Sequence, residues 1–207
     1  MPRLFLFSAL LLLPFLLAAQ SGNGQFRSLQ DDGFLLIALP TRSRKMAVLR
    51  RELARPDLDA DTRDNLEATR AQVLADNAYE AQLLRQAFAT GYTYGAYRFA
   101  PDTVVAAMRD GPAPARLLDE NLEPVPAEVP DANGYWVAQF TTRKGLRGLQ
   151  LRTAALNPVP TRIDDFYRFN SVLSFFRALT QPKASAEQID AQRMVAKLNR
   201  ELARRGA

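Results

Sequence analysis

Histidine and cysteine are both absent from this chain of 207 residues. Without cysteine there are no disulfides, no thiolate nucleophile, no iron–sulfur cluster and no thiolate zinc site. Without histidine there is no Ser-His-Asp triad, no HExxH zinc motif and no His-ligated haem. The expectation is therefore a protein with no cofactor and no tightly bound transition metal; only a hard cation held by oxygen ligands stays open. A phosphate-cradling glycine loop is missing as well. Gly22, Gly24 and Gly33 fall in a polar stretch near the start, and Gly145 and Gly148 fit a turn. Charge of one sign is also in short supply. The 27 basic residues exceed the 22 acidic ones to give +5, an excess that permits attraction to acidic surfaces without requiring it.

What is present begins with an export signal. Arg3 supplies a basic start, Leu4–Leu17 is apolar except for Ser8, and Ala18-Ala19 closes the run before the polar Gln20-Ser21-Gly22-Asn23-Gly24. Basic, apolar and small-residue parts in that order make a cleavable secretory signal. Cleavage is expected after Ala19, with Gln20 as the next site. The apolar run is shorter than the roughly 20 residues of a membrane span, and Pro14 interrupts it. The mature chain is expected to carry no transmembrane span and to work in the periplasm or outside the cell, where genomic DNA is not met, so no nucleic-acid partner is expected. Exported folds often use disulfides; this one must rest on its core, and ~188 residues suffice for one domain.

Residues 1–19 are thus read as signal peptide, 20–33 as a flexible lead-in and 34–207 as a single domain. Phe34–Leu39 is a continuous apolar run ended by Pro40, of a length that suits a buried or edge strand. Met46, Leu49 and Leu53 repeat at helical steps until Pro56. Asp57, Asp59 and Asp61 offer N-caps for a longer helix to about Ala89, with Leu74, Ala78, Ala81, Leu84 and Phe88 as its apolar face, Leu66 and Val73 on the flank, and Gly91 as its C′ residue. The pair forms an αα-hairpin. Tyr92–Phe99 reads as an aromatic strand with Gly95 marking a bulge, and Asp102 as the cap of a brief helix over Thr103–Met108. Residues 111–133 are proline-rich loop with a short strand at Arg116–Leu118. Tyr135–Thr142 alternates as a strand, with Trp136, Ala138 and Phe140 on one face, and pairs with Leu146–Thr153 through a hairpin. Phe166–Leu179 is apolar and aromatic. Ser185-Ala186-Glu187-Gln188 fits a capping box for a last helix from Ala186 to about Arg204.

That last helix carries the candidate site. Arg193, Lys197, Arg200 and Arg204 step by four, three and four and form one basic stripe, opposite an apolar face of Ala191, Met194, Val195, Leu198 and Leu202. The stripe suits an acidic partner: a lipid headgroup, an anionic glycan or an acidic protein. It equally suits a solvated face that complements the helix C-terminus. The adjacent acids Asp31-Asp32, Asp119-Glu120 and Asp164-Asp165 fit caps and loops better than cation sites, since sequence neighbours point apart. The aromatics Tyr92, Tyr94, Tyr97, Trp136, Tyr167 and Phe169 fit cross-strand packing better than a ligand groove. No residue is singled out as catalytic, cofactor-binding or metal-ligating.

Three stretches taken together, Phe34–Arg42, Leu117–Leu122 and Leu146–Leu151 leading through Asn157-Pro158 to Phe166–Phe169, resemble a family of small exported proteins of Bacteroidota. The resemblance implies a signal peptide, an apolar strand, a charged helical segment, aromatic strands and a basic C-terminal helix. It implies no activity and no site residue. The expected architecture is α+β, a small, mainly antiparallel sheet packed by an αα-hairpin and a C-terminal amphipathic helix. The expected function is a non-catalytic envelope module that binds another protein or an anionic surface. The rivals are a carboxylate- or serine-based hydrolase on cell-wall or glycan substrates, and a periplasmic holdase-like chaperone. A concave pocket with converging acids favours the enzyme, and a convex face with a basic stripe the binder.

Overall fold

The structure, a computed structural model, describes residues 26, 28–31, 33–109, 116–126, 134–143, 146–157 and 183–206. The signal segment, Asp164-Asp165 and Phe166–Leu179 lie outside the described residues. The elements are α1 (Ser28–Asp31), β1 (Phe34–Leu39), α2 (Ser43–Leu53), α3 (Ala60–Gly91), β2 (Ala96–Pro101), α4 (Asp102–Met108), β3 (Arg116–Leu118), β4 (Pro124–Pro126), β5 (Tyr135–Arg143), β6 (Leu146–Thr153) and α5 (Lys183–Gly206). The strands form one sheet in the order β4-β3-β2-β1-β5-β6. The fold is α+β, with helices packed on a sheet in which three of the five strand pairings are antiparallel. The other two surround β1, which runs parallel to both β2 and β5.

The apolar run of β1 becomes the centre of the sheet because both of its faces are covered. Leu35, Ile37 and Leu39 point into the larger core with Leu84, Phe88, Trp136, Leu149, Val195 and Leu198. Leu36 and Ala38 point into a smaller one with Val105, Leu117 and Val137. α3 and α5 cover the first face and α4 the second. The chain leaves β1 toward β2 and later returns on the other side of β1 as β5. The strand order therefore reverses at β1, the arrangement that opens a crevice at the carboxyl ends of parallel strands.

Several local expectations change for identifiable reasons. Two residues ahead of Phe34 are part of the larger core. Phe26 and Leu29, placed in the flexible lead-in, are each 1% exposed, and the Phe26 ring lies 4.6 Å from that of Trp136. Gly95 marks the close approach of this segment rather than a bulge, since a Cβ there would fall 2.2 Å from the Leu29 carbonyl oxygen. Strand β2 accordingly begins at Ala96, after Tyr92 and Tyr94 have turned inward. Asp59 caps α3 as expected, accepting from the Thr62 N–H at 2.7 Å. The buried face of α3 is Val73, Leu84, Ala87 and Phe88, while Leu74 is 49% exposed. Gly91 is the last helical residue and not a left-handed C′ position; a Cβ there would lie 3.3 Å from Val195 Cγ1, so glycine lets α5 approach. Asp102 opens α4 from inside the helix, and its carboxylate accepts from the Thr41 hydroxyl. The loop after β3 contains β4, which pairs back on β3; Asp119 shapes the turn by accepting from the N–H groups of Asn121 and Glu123. α5 starts two residues before Ser185, which puts the anticipated capping box within the helix.

α3 and α5 run parallel. Tyr79 meets Glu187 and Gly91 meets Asn199, each pair separated by 108 residues. Asn199 closes the C-terminus of α3: its Nδ2 donates to the Gly91 carbonyl and its Oδ1 accepts from Thr93 N–H at 3.1 Å. This cross-helix cap satisfies groups that a helix end otherwise leaves to water.

Candidate functional site

The turn after β1 is the root of the site. Pro40-Thr41-Arg42 leads from the sheet into α2, and Arg42 adopts a left-handed conformation with φ 49 and ψ 38. That conformation costs a non-glycine residue ~1–2 kcal/mol, so neighbouring contacts must hold it. The Arg42 guanidinium donates to Asn77 Oδ1 and, at 2.7 Å, to Glu80 Oε1. Asn77 in turn donates to the Thr41 carbonyl at 2.9 Å. With Thr41 bonded to Asp102, the turn ties α3 and α4 to the carboxyl ends of β1 and β2.

Above this turn lies a cleft of about 430 Å³ between α3 and α5, within the range of sites that hold small molecules. Leu83, Leu84, Phe140, Ala191 and Met194 supply its apolar surface. Among the described residues, Asp76, Glu80, Glu187 and Asp190 line it together with Arg42. Tyr79 bridges the two helices, donating to Glu187 Oε2 at 2.7 Å. That hydrogen bond, with some help from burial, raises the tyrosine pKa above its ordinary value, so the hydroxyl stays a donor. Asp76 accepts from Gln72 at 2.8 Å.

The helix docking assembles these groups; of the charged ones the sequence reading named only Glu187, as part of a capping box and not of a site. One signal was available. Positions 73, 77, 80, 84, 87 and 91 follow one stripe of α3, and Val73, Leu84 and Ala87 on it are buried. Asn77 and Glu80 interrupt it because they face Arg42 rather than the core.

The basic stripe lies elsewhere on α5. Arg193, Arg200 and Arg204 are exposed and Lys197 is half-buried, whereas Ala191, Met194, Val195, Leu198 and Leu202 are buried as anticipated. Arg204 pairs with Glu201 at 3.3 Å. Through Asn199 this end of α5 lies beside the C-terminus of α3, which has no basic residue in its own last turn. Arg204, in the last turn of α5, complements the negative end of that helix's dipole. Tyr92 and Tyr94 belong to the core, Trp136 packs beneath Phe26, and Asp119 serves its turn. Among the described residues no helix is long and apolar enough to cross a membrane.

Comparison with protein-family models, with curated proteins and with solved structures gave no match, so the functional reading rests on the geometry of the cleft and the stripe.

Proposed function

We propose that this is an exported, non-catalytic binding module of the cell envelope, with its ligand site in the cleft between α3 and α5. The observation that carries this reading is the position of the cleft: it opens over the turn that follows the central strand β1, where the strand order reverses. Its polar groups support binding over turnover. Glu80 holds Arg42, Asp76 accepts from Gln72, and Glu187 accepts from Tyr79, so these carboxylates brace the walls. The basic stripe of Arg193, Lys197, Arg200 and Arg204 provides a second contact, with an anionic envelope surface or an acidic partner protein.

The hydrolase is the second reading, and the convergence of four acidic side chains on one concave surface is what favours it. The holdase reading loses ground. The large apolar side chains exposed among the described residues, Val48, Leu74 and Tyr79, are too few for a surface that grips unfolded chains. The deciding experiment isolates the mature protein from its native envelope and analyses what it releases on denaturation, alongside incubation with cell-wall and glycan fragments. A released small molecule with no cleavage of the fragments is the expected result. Cleavage that Asp76→Asn or Asp190→Asn abolishes would put the hydrolase first.

A further inference from the structure

We propose that the outer face of α2 is a docking surface for the anionic headgroups of a lipid bilayer. This surface is separate from the cleft and does not depend on what the cleft binds. It also lies on a different element from the basic stripe of α5.

The apolar side of α2 is already used. Met46, Leu49 and Leu53 recur at helical steps, Leu49 is buried, and the helix packs on α3. The opposite side is basic. Arg44, Ala47, Val48 and Arg51 follow one another along it, with Lys45 and Arg50 on its flanks, and all six are exposed. Glu52 is the one acid in the helix. Among the described residues, no ion pair or side-chain hydrogen bond engages Arg44, Lys45 or Arg50. Arg51 lies 3.6 Å from Glu52, which also pairs with Arg55 at 3.3 Å. The charge of this face is therefore left to water or to an outside partner.

Half of that charge also works against the helix. The N-terminus of a helix favours acids and disfavours cations. Yet the first turn of α2 holds Arg44 and Lys45 with no acid, and Arg42 at its cap makes no side-chain cap hydrogen bond. Arg50 and Arg51, in the last turn, suit the dipole; Arg44 and Lys45 oppose it, so the stability of the helix does not account for them. Complementarity calls for an anionic partner. Long side chains with no fixed partner fit headgroup phosphates, which move to meet them, better than carboxylates held rigidly on a protein. A basic amphipathic helix is also the pattern of a membrane-surface segment. Arg44 and Arg51 stand about 10 Å apart along the axis, close enough to feel one leaflet together. Val48, 49% exposed between them, presents an apolar side chain to the boundary of headgroups and acyl chains.

Cosedimentation with vesicles tests the assignment. The purified protein is mixed with vesicles of phosphatidylcholine alone, or of phosphatidylcholine and phosphatidylglycerol in equal parts. Any N-terminal apolar segment is common to wild type and variants, so the difference between them reports α2. The wild type is expected to bind the anionic vesicles and to be released as salt is added. Replacing Arg44, Lys45, Arg50 and Arg51 together with glutamine should weaken that binding at least about tenfold. All four side chains are exposed and two oppose the dipole, so this variant should melt no lower than the wild type. Should it fold poorly, Arg44→Gln combined with Lys45→Gln carries the same test. Replacing Arg193, Lys197, Arg200 and Arg204 of α5 with glutamine should leave most of the vesicle binding in place. No preference of the wild type for the anionic vesicles, or undiminished binding by the α2 variant, overturns the proposal. Loss of binding in the α5 variant alone overturns it too, and assigns the membrane contact to the stripe. If soluble poly-L-glutamate binds the wild type at least as tightly as the anionic vesicles do, the face is a dock for an acidic protein instead. The ligand of the cleft is read separately, by the release experiment.

Discussion

Two tyrosine hydroxyl groups lie buried in the larger core. Tyr92 and Tyr94 are each 7% exposed, and their hydroxyls find no hydrogen-bond partner among the described residues. A buried polar group without a partner costs ~1–3 kcal/mol, so Tyr92→Phe and Tyr94→Phe, which keep the rings, should each raise stability by about 1 kcal/mol or more. Chemical denaturation of the two variants checks this, and a loss of stability would show that the hydroxyls are satisfied. The same groups set an alkaline limit. Burial pushes the Tyr92 hydroxyl well above the ordinary value of 10.0, and neighbouring Tyr94 adds to the shift. Burial raises Tyr94 and Tyr135 in the same direction. The folded protein therefore keeps these protons to higher pH than the unfolded chain. Their contribution is complete below about pH 10 and is lost as pH rises through the folded values. Melting temperatures measured from about pH 8 to 11 should fall at the alkaline end, less steeply in Tyr92→Phe.

At the scale of the element, α5 serves the fold and the surface with different residues. Most of a helix's stability in a protein comes from packing its apolar face; docking on α3 and the sheet holds α5, through Val195 against Gly91 and Leu198 and Leu202 in the core. Leu198 is fully buried, so Leu198→Ala should cost ~2–5 kcal/mol, read as a lower denaturation midpoint. Replacing Arg193, Lys197, Arg200 and Arg204 with glutamine should cost much less, because three of the four are exposed and exposed ion pairs contribute little. If the stripe docks an anionic partner, the glutamine variant stays folded but loses that partner in a pull-down from envelope extract, and the wild-type interaction weakens with salt. Retention of every partner at low salt would leave the stripe a solvated face.

For the whole molecule, charge is sorted along one helix. The start of α5 contributes Glu187 and Asp190 to the cleft, and the basic stripe begins at Arg193 and runs on to Arg204. Because α3 and α5 run parallel, the two regions fall toward opposite ends of the same helix pair. The cleft and the stripe therefore occupy separate regions of the helix pair. Mass spectrometry of the native protein should find its N-terminus near Gln20 or Ser21; recovery of intact Met1 from a membrane fraction would remove the argument from localisation.

The sequence by itself excluded thiol, imidazole and phosphate-loop chemistry, since those need residues or spacings that are not there. It also marked β1, α2, β5 and the buried face of α5, because a period of 2 or 3.6 is a property of near neighbours. It could not show that β1 lies between two parallel partners, for strand order depends on which distant faces cover each other. Nor could it show the left-handed Arg42, whose conformation is held by Asn77 and Glu80 from another helix. The cleft is likewise a product of tertiary structure. Its acids come from segments more than a hundred residues apart, and they share one surface only because Gly91 lets α5 settle against α3 in parallel register.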